Sequence, residues 1–199
     1  TLLDYATILS CVFAIPFALG LAFLVERTLK KRWTSGMQLE LDDRELRFEN
    51  TNPEEGLVNS IVLDWDKRVN LTRWYFRLTA YPKVGRERLV SDKWLCLACQ
   101  IQQDDARIIT FAYMPPEQAQ ELLENNKLEE PFHQISLAEL YKAARVKRWG
   151  GTTRPEVPPE LVAGQDGRYW IAERRRWEEG LEIAPEDFAM LTEYIEERV

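Results

Sequence analysis

A few groups of residues in this chain have types and spacings that could do chemistry. Cys96-Leu-Ala-Cys99 has the C-x-x-C spacing of redox and metal sites. In a strand, however, residues i and i+3 face opposite ways about 10 Å apart, and a disulfide needs Cα atoms within about 7 Å. A zinc site would require a second pair of ligands, which the sequence does not supply. Buried core cysteines are the better account. Asp64 and Asp66 flank Trp65 and share a face in alternating geometry, where paired carboxylates do acid–base work or hold a cation. A solvated strand end is the simpler reading. His133 is the sole histidine, and with no serine, cysteine or aspartate constellation nearby it makes no triad. An enzyme would need Asp64, Asp66 and His133 to converge in one cleft. No P-loop, G-x-G-x-x-G or haem-attachment motif occurs. The expectation is a protein without catalytic residues, cofactor or metal.

A different chemistry repeats along the chain. Lys31-Arg32-Trp33, Lys147-Arg148-Trp149 and Arg175-Arg176-Trp177 each set cations beside an indole. That pairing suits the lipid headgroup layer, where anionic lipid attracts the charge and the ring sits at the boundary. Arginine and tryptophan are also typical anchors of protein interfaces, and ordinary cation–π pairs look the same in sequence. For Trp33 the membrane interface is favoured. For Trp149 and Trp177, lipid, partner and plain cation–π contact stay open.

The elements that would position these groups begin with an apolar run. Tyr5–Val25 contains no charge, and at 1.5 Å per residue it covers about 30 Å, the thickness of a hydrocarbon core. Asp4 precedes it, while Glu26, Arg27, Lys30, Lys31, Arg32 and Trp33 follow. That polarity is wrong for a cleaved signal peptide. It predicts a single transmembrane anchor in the inner (cytoplasmic) membrane, with the N-terminus outside and the bulk of the chain cytoplasmic. Arg27, Lys30, Lys31, Arg32 and Trp33 would form the membrane-interface collar. Ala14, Ala18 and Ala22, with Gly20, form a small-residue stripe of the kind that packs on a partner helix, and Pro16 predicts a kink.

The remaining composition is that of a globular domain with its own core. Of 199 residues, 45% are hydrophobic and 30% charged, and the formal net charge is −7. A large basic footprint is missing, so nucleic acid is not an expected partner. Three cysteines fit a reducing compartment rather than a disulfide scaffold.

After the linker Thr34-Ser35-Gly36 the pattern turns to β. Met37, Leu39 and Leu41 alternate with polar residues, as do Leu46 and Phe48 across an Asp42-Asp43 turn. NTNPEEG (50–56) is a loop. Further strands are predicted over Leu57–Trp65, Leu71–Tyr81, Trp94–Gln102 and Arg107–Met114, the last two forming a hairpin across Asp104 and Asp105. Pro115-Pro116-Glu117 then opens a helix running to about Asn126.

The opening hairpin QLELDDRELRFEN, the strand end Val62-Leu63-Asp64-Trp65 and the passage ITFAYMPPEQAQELL carry this order. It resembles that of bacterial pleckstrin-homology-like (PH-like) domains over Met37–Asn126. The resemblance implies a small bent antiparallel β-sandwich or barrel capped by a helix, with no invariant catalytic set. The basic loop of lipid-binding members has no counterpart, since NTNPEEG is acidic.

The last third changes character. Ser136–Trp149 starts with a capping box, Ser136 and Glu139, and puts Leu137, Leu140, Tyr141 and Ala144 on one face. Gly150–Gly167 should be irregular, Arg168–Glu179 can be helical, and Pro185–Val199 is a helix with Phe188, Leu191, Tyr194 and Ile195 on one face. The predicted organisation is α+β: an anchor over 1–33, a PH-like domain over 34–130 and a partly helical extension over 131–199. The function expected is that of a non-catalytic accessory subunit of a larger integral-membrane complex, photosynthetic or respiratory among the options. In layout alone, one N-out helix before a largely β cytoplasmic domain looks like the H subunit of photosynthetic reaction centres. The alternative is a membrane-tethered PH-like module that binds a soluble protein or anionic lipid. The partners expected are integral-membrane protein subunits and the lipid bilayer with its anionic headgroups. Lys147, Arg148, Trp149, Arg175, Arg176 and Trp177 are the candidate partner or lipid contacts.

Overall fold

The computed structural model describes residues 17–18, 20–21, 23–25, 36–51, 60–79, 83–124, 131–144 and 154–198. The first hairpin and the strand after it form a small antiparallel sheet: β1 (Met37–Leu41), β2 (Glu45–Asn50) and β3 (Ser60–Asp64), in that order. Their turn is closed locally, with the Asp42 carboxylate accepting hydrogen bonds from the backbone N–H groups of Arg44 and Glu45. That arrangement is the Asx chemistry that favours aspartate in turns.

A larger sheet follows from β4 (Asn70–Arg77), β5 (Leu95–Gln103) and β6 (Ala106–Met114), which pair antiparallel. Asp104, in the β5–β6 turn, takes φ 52°, a left-handed conformation that aspartate tolerates. Two short strands extend this sheet to the order β7-β4-β5-β6-β8. β7 (His133–Gln134) joins β4 and β8 (Leu181–Glu182) joins β6, both in parallel. The Gln103 side chain stitches the two sheets together: Asp64 N–H donates to its Oε1 (3.0 Å) and its Nε2 donates to Asp64 O (2.8 Å).

The large sheet is buried on both faces. β5 and β6 are covered almost throughout, matching their near-continuous apolar runs LCLAC and IITFAYM, the mark of a strand with no solvent side. One face packs Leu95, Leu97, Cys99, Ile101, Ile108, Ala112 and Met114 against Leu46 and Leu63 of the small sheet. It is completed by Ala119 of α1 (Pro116–Glu124) and by Phe188, Leu191 and Ile195 of α5 (Pro185–Arg198). The opposite face holds Trp74, Phe76, Cys96, Ala98, Ile109, Phe111 and Tyr113. Helices α2 (Leu137–Ala143), α3 (Pro159–Val162) and α4 (Gly167–Glu179) cover it through Leu137, Leu140, Leu161, Tyr169, Trp170 and Ala172. Where α3 meets α4, a Cβ on Gly167 would lie 2.0 Å from the Val162 carbonyl oxygen, so only glycine fits that crossing.

Several expectations are revised. The transmembrane helix is not supported: among the described residues no helix is long and apolar enough to cross a membrane. Positions 17–25, helical where described, cover about 13 Å at 1.5 Å per residue, and the rest of Tyr5–Val25 lies outside the described residues. Helix α1 lies on one face of the large sheet, and the extension over 131–199, whose packing surface the sequence leaves open, packs within the same domain where it is described. Its described part supplies both edge strands and four helices to the same two cores. The capping box of α2 does not form, because Ser136 makes no side-chain cap bond. A backbone turn from Glu139 N–H to Ser136 O (2.9 Å) closes the helix instead.

Candidate functional site

The densest gathering of ionisable groups lies inside the molecule, between the large sheet and α4. A 3-10 turn over Gly85–Leu89 leaves the surface and points Glu87 inward, where it is 3% exposed. Glu173 and Arg176 come from one face of α4, three residues apart, as helical spacing requires. Arg154 enters from the irregular chain before α3.

Arg176 grips Glu173 with two parallel bonds, Nε to Oε2 and Nη2 to Oε1, each 2.8 Å. This is the bidentate geometry in which guanidinium and carboxylate pair best. The Trp74 indole donates to Glu173 Oε2 at 2.7 Å. Arg154 bridges both acids, with Nη1 3.0 Å from Glu87 Oε1 and Nη2 2.5 Å from Glu173 Oε1. Tyr113 OH stands 3.5 Å from Glu87 Oε1. The guanidiniums also stack on rings: Arg176 lies 4.6 Å from the Phe111 centroid, and Arg154 lies 4.9 Å from that of Trp177.

Two acids and two arginines make the cluster neutral. Burial alone would push Glu173 up, but Arg176 and Arg154, with hydrogen bonds from Arg176 and Trp74, outweigh it and hold its carboxyl below the ordinary carboxylate value. Burial likewise opposes the charge on Arg176, and Glu173 overcomes it and raises the guanidinium well above its usual value. Glu173 and Arg176 therefore hold each other charged. The cluster clamps α4 and the 3-10 turn onto the sheet, and its carboxylates are already engaged by guanidinium, indole and phenol. Burial also raises the Tyr113 hydroxyl and the Cys96 thiol beside it.

The residues singled out from sequence fall in three places. Arg176 is a correction: at 2% exposure it cannot meet a lipid or a partner, because α4's helical period turns it to the Glu173 face. Arg175 is half-buried and its Nη1 lies 3.4 Å from Gln100 Oε1. Trp177 is 40% exposed and lies over Arg154, so the cation–π contact left open in sequence is made within the chain. Ala18 and Gly20 are exposed, and a Cβ on Gly20 would meet nothing within 4 Å. Ala14, Ala22, Arg27, Lys30, Lys31, Arg32, Trp33, Lys147, Arg148 and Trp149 lie outside the described residues.

The other chemistry-bearing residues stay apart. Cys96 belongs to one core and Cys99 to the other, with the Cys99 thiol pushed up to about 12 by burial. Asp64 accepts the Asp66 backbone N–H at 2.9 Å and lies 4.0 Å from Lys67 Nζ. His133 stacks on Tyr169 with centroids 4.0 Å apart, its Nε2 3.0 Å from Asp166 Oδ1. Among the described residues no group of three or more histidine, cysteine or acidic side chains is placed to hold a metal ion.

Of the buried cluster, sequence reasoning singled out Arg176 alone, and for the wrong surroundings. Glu173 and Arg176 at i and i+3, beside Tyr169, Trp170 and Ala172, were the available signal. Glu87 and Arg154 left none, since one sits in a short 3-10 turn and the other in irregular chain 67 residues away.

Compared with protein-family models, with characterised proteins and with solved structures, the chain matches none of them.

Proposed function

We propose that this chain is a non-catalytic accessory subunit of a larger membrane-protein assembly, docking through its apolar N-terminal helical residues and covering the cytoplasmic face of its partners. The observation that carries this reading is the exposure of Phe17, Leu21, Phe23 and Val25, from 51% to 74%. Neighbouring apolar side chains left this open mark a surface meant for another apolar surface. The domain behind them suits a scaffold. Its ionisable core groups hold helices on the sheet, and a sheet covered on both faces makes a rigid body to set against a partner. Partner helices with small or apolar faces would receive the segment, since close packing drives such association in a membrane protein.

Gentle detergent extraction from the source membrane, followed by native mass measurement and identification of co-migrating chains, tests the proposal. Migration in one large complex of fixed stoichiometry is the expected result. Migration alone, near 23.4 kDa plus detergent, would sink it and leave a free binding module for a soluble partner or anionic lipid.

A further inference from the structure

One groove on the surface combines volume with uncompensated charge. It lies beside the end of β4 and the start of β5, under the flank of α1, and encloses about 510 Å³. Small-molecule sites run from about 300 to 1,000 Å³. Tyr75, Arg77 and Thr79 reach it from alternate positions of β4 and the residues after it, Lys93 from the turn before β5, Leu95 from the start of β5, and Leu123 from α1. Apolar wall and cationic mouth thus share one opening.

The charges decide what fits. Neither Arg77 nor Lys93 has an ion-pair partner among the described residues, and both are exposed. Asp92, next to Lys93 in the chain, lies 2.5 Å from Lys83 Nζ, and Glu124 at the end of α1 accepts from Gln120 Nε2 at 2.7 Å. Pro116, the first residue of α1, borders the groove, so the positive end of that helix adds to the field. On a chain of net charge −7, a cationic pocket stands against the average. The second groove, about 160 Å³ beside Met37 and Ile61, differs in this respect. Its arginine, Arg107, is already paired with Glu179 at 2.6 Å.

We propose that the groove between β4, β5 and α1 binds a phosphate monoester. Arg77 presents its planar fork to two phosphate oxygens and Lys93 adds a point charge, the division of labour those side chains favour. Tyr75, Leu95 and Leu123 hold the organic part of the ester. The site uses nothing of the N-terminal helix and stands or falls apart from the subunit reading.

Calorimetric titration of the full chain with phenyl phosphate at low salt tests this. Saturable binding is expected, with benzyl alcohol inert. Arg77→Gln/Lys93→Gln should weaken it by about tenfold or more, as loss of charge-assisted bonds to a dianion requires. Both side chains are exposed, so the double variant should keep the parent's circular dichroism and urea midpoint. Vesicles with and without phosphatidate identify the source of the ester. Phosphatidate-dependent sedimentation competed by phenyl phosphate assigns a lipid headgroup, and phenyl phosphate binding without sedimentation assigns a soluble ester. No saturable binding of phenyl phosphate, or equal binding by the double variant, overturns the proposal.

Discussion

The two faces of the large sheet are built on different physics. The face toward the small sheet is an aliphatic core crossed at its rim by one buried ion pair, Arg73 to Glu196 at 3.2 Å. The face toward α4 is more aromatic and encloses two arginines and two glutamates. Apolar contact is non-directional and roughly additive in area, so the first face tolerates exchange of one hydrocarbon shape for another. Buried ions are directional and costly to leave unpaired. The second face therefore specifies where Glu87, Arg154 and α4 must sit, and it is fragile to the loss of any one of them.

The sharpest break of this contrast is Glu173→Ala. It leaves two guanidiniums to share Glu87 and an indole N–H without its acceptor, and it should cost about 3–5 kcal/mol, the range for removing one partner of a buried pair. Urea unfolding checks the value. Replacing Glu87, Glu173, Arg154 and Arg176 together by apolar residues of similar volume should recover most of the loss. A quadruple variant as unstable as the single one would show that packing, not charge pairing, governs this face.

On the aliphatic face, Leu97→Ala should cost about 2–5 kcal/mol, through lost transfer energy and a residual cavity. Leu97→Met should stay under about 1.5 kcal/mol. A methionine variant as damaged as the alanine one would erase the distinction between the faces.

Acid gives the smallest separation. The folded state holds Glu173 below its ordinary value of 4.5. Its contribution is therefore present above that pH and is lost as pH falls through the depressed folded value. Stability measured below pH 4.5 should decline more steeply for the parent than for Glu173→Gln, which has no proton to take up at this site. Parallel acid limbs would remove Glu173 from the account.

Much of the fold was legible because it rests on local pattern. The strands β1 to β6 and the helices α1, α4 and α5 stand close to where alternation, turn residues and proline placed them. What alternation could not express was two-sided burial. LCLACQIQQ and ARIITFAYM lack the polar partner at every second position that β1 shows, and that lack was the visible sign of a covered sheet. Arg175-Arg176-Trp177 looks in sequence like one linear cluster, which hides where Arg176 goes. On a helix, adjacent residues point about 100° apart, which sends Arg175 to the rim and Arg176 inward. Glu87 and Arg154 reach the cluster only through tertiary folding, and no local rule links positions so distant. The groove at Arg77 and Lys93 escaped for the same reason, since α1 makes its wall.

Helix α5 has a consequence for how the protein comes into being. Tyr194 OH donates to Asp42 O at 2.6 Å, and Arg198 Nη2 pairs with Asp43 at 2.8 Å. Helix α5 thus clasps the β1–β2 hairpin. During synthesis β5 and β6 leave the ribosome with the small sheet ready for one face but nothing for the other, and α2 to α4, which cover that second face, arrive only later. Contacts so distant in sequence slow closure, and exposed apolar strands in the interval invite aggregation. A nascent chain of this design has no early stopping point at which its sheet is safe, and its dependence on chaperones should fall once α5 has emerged.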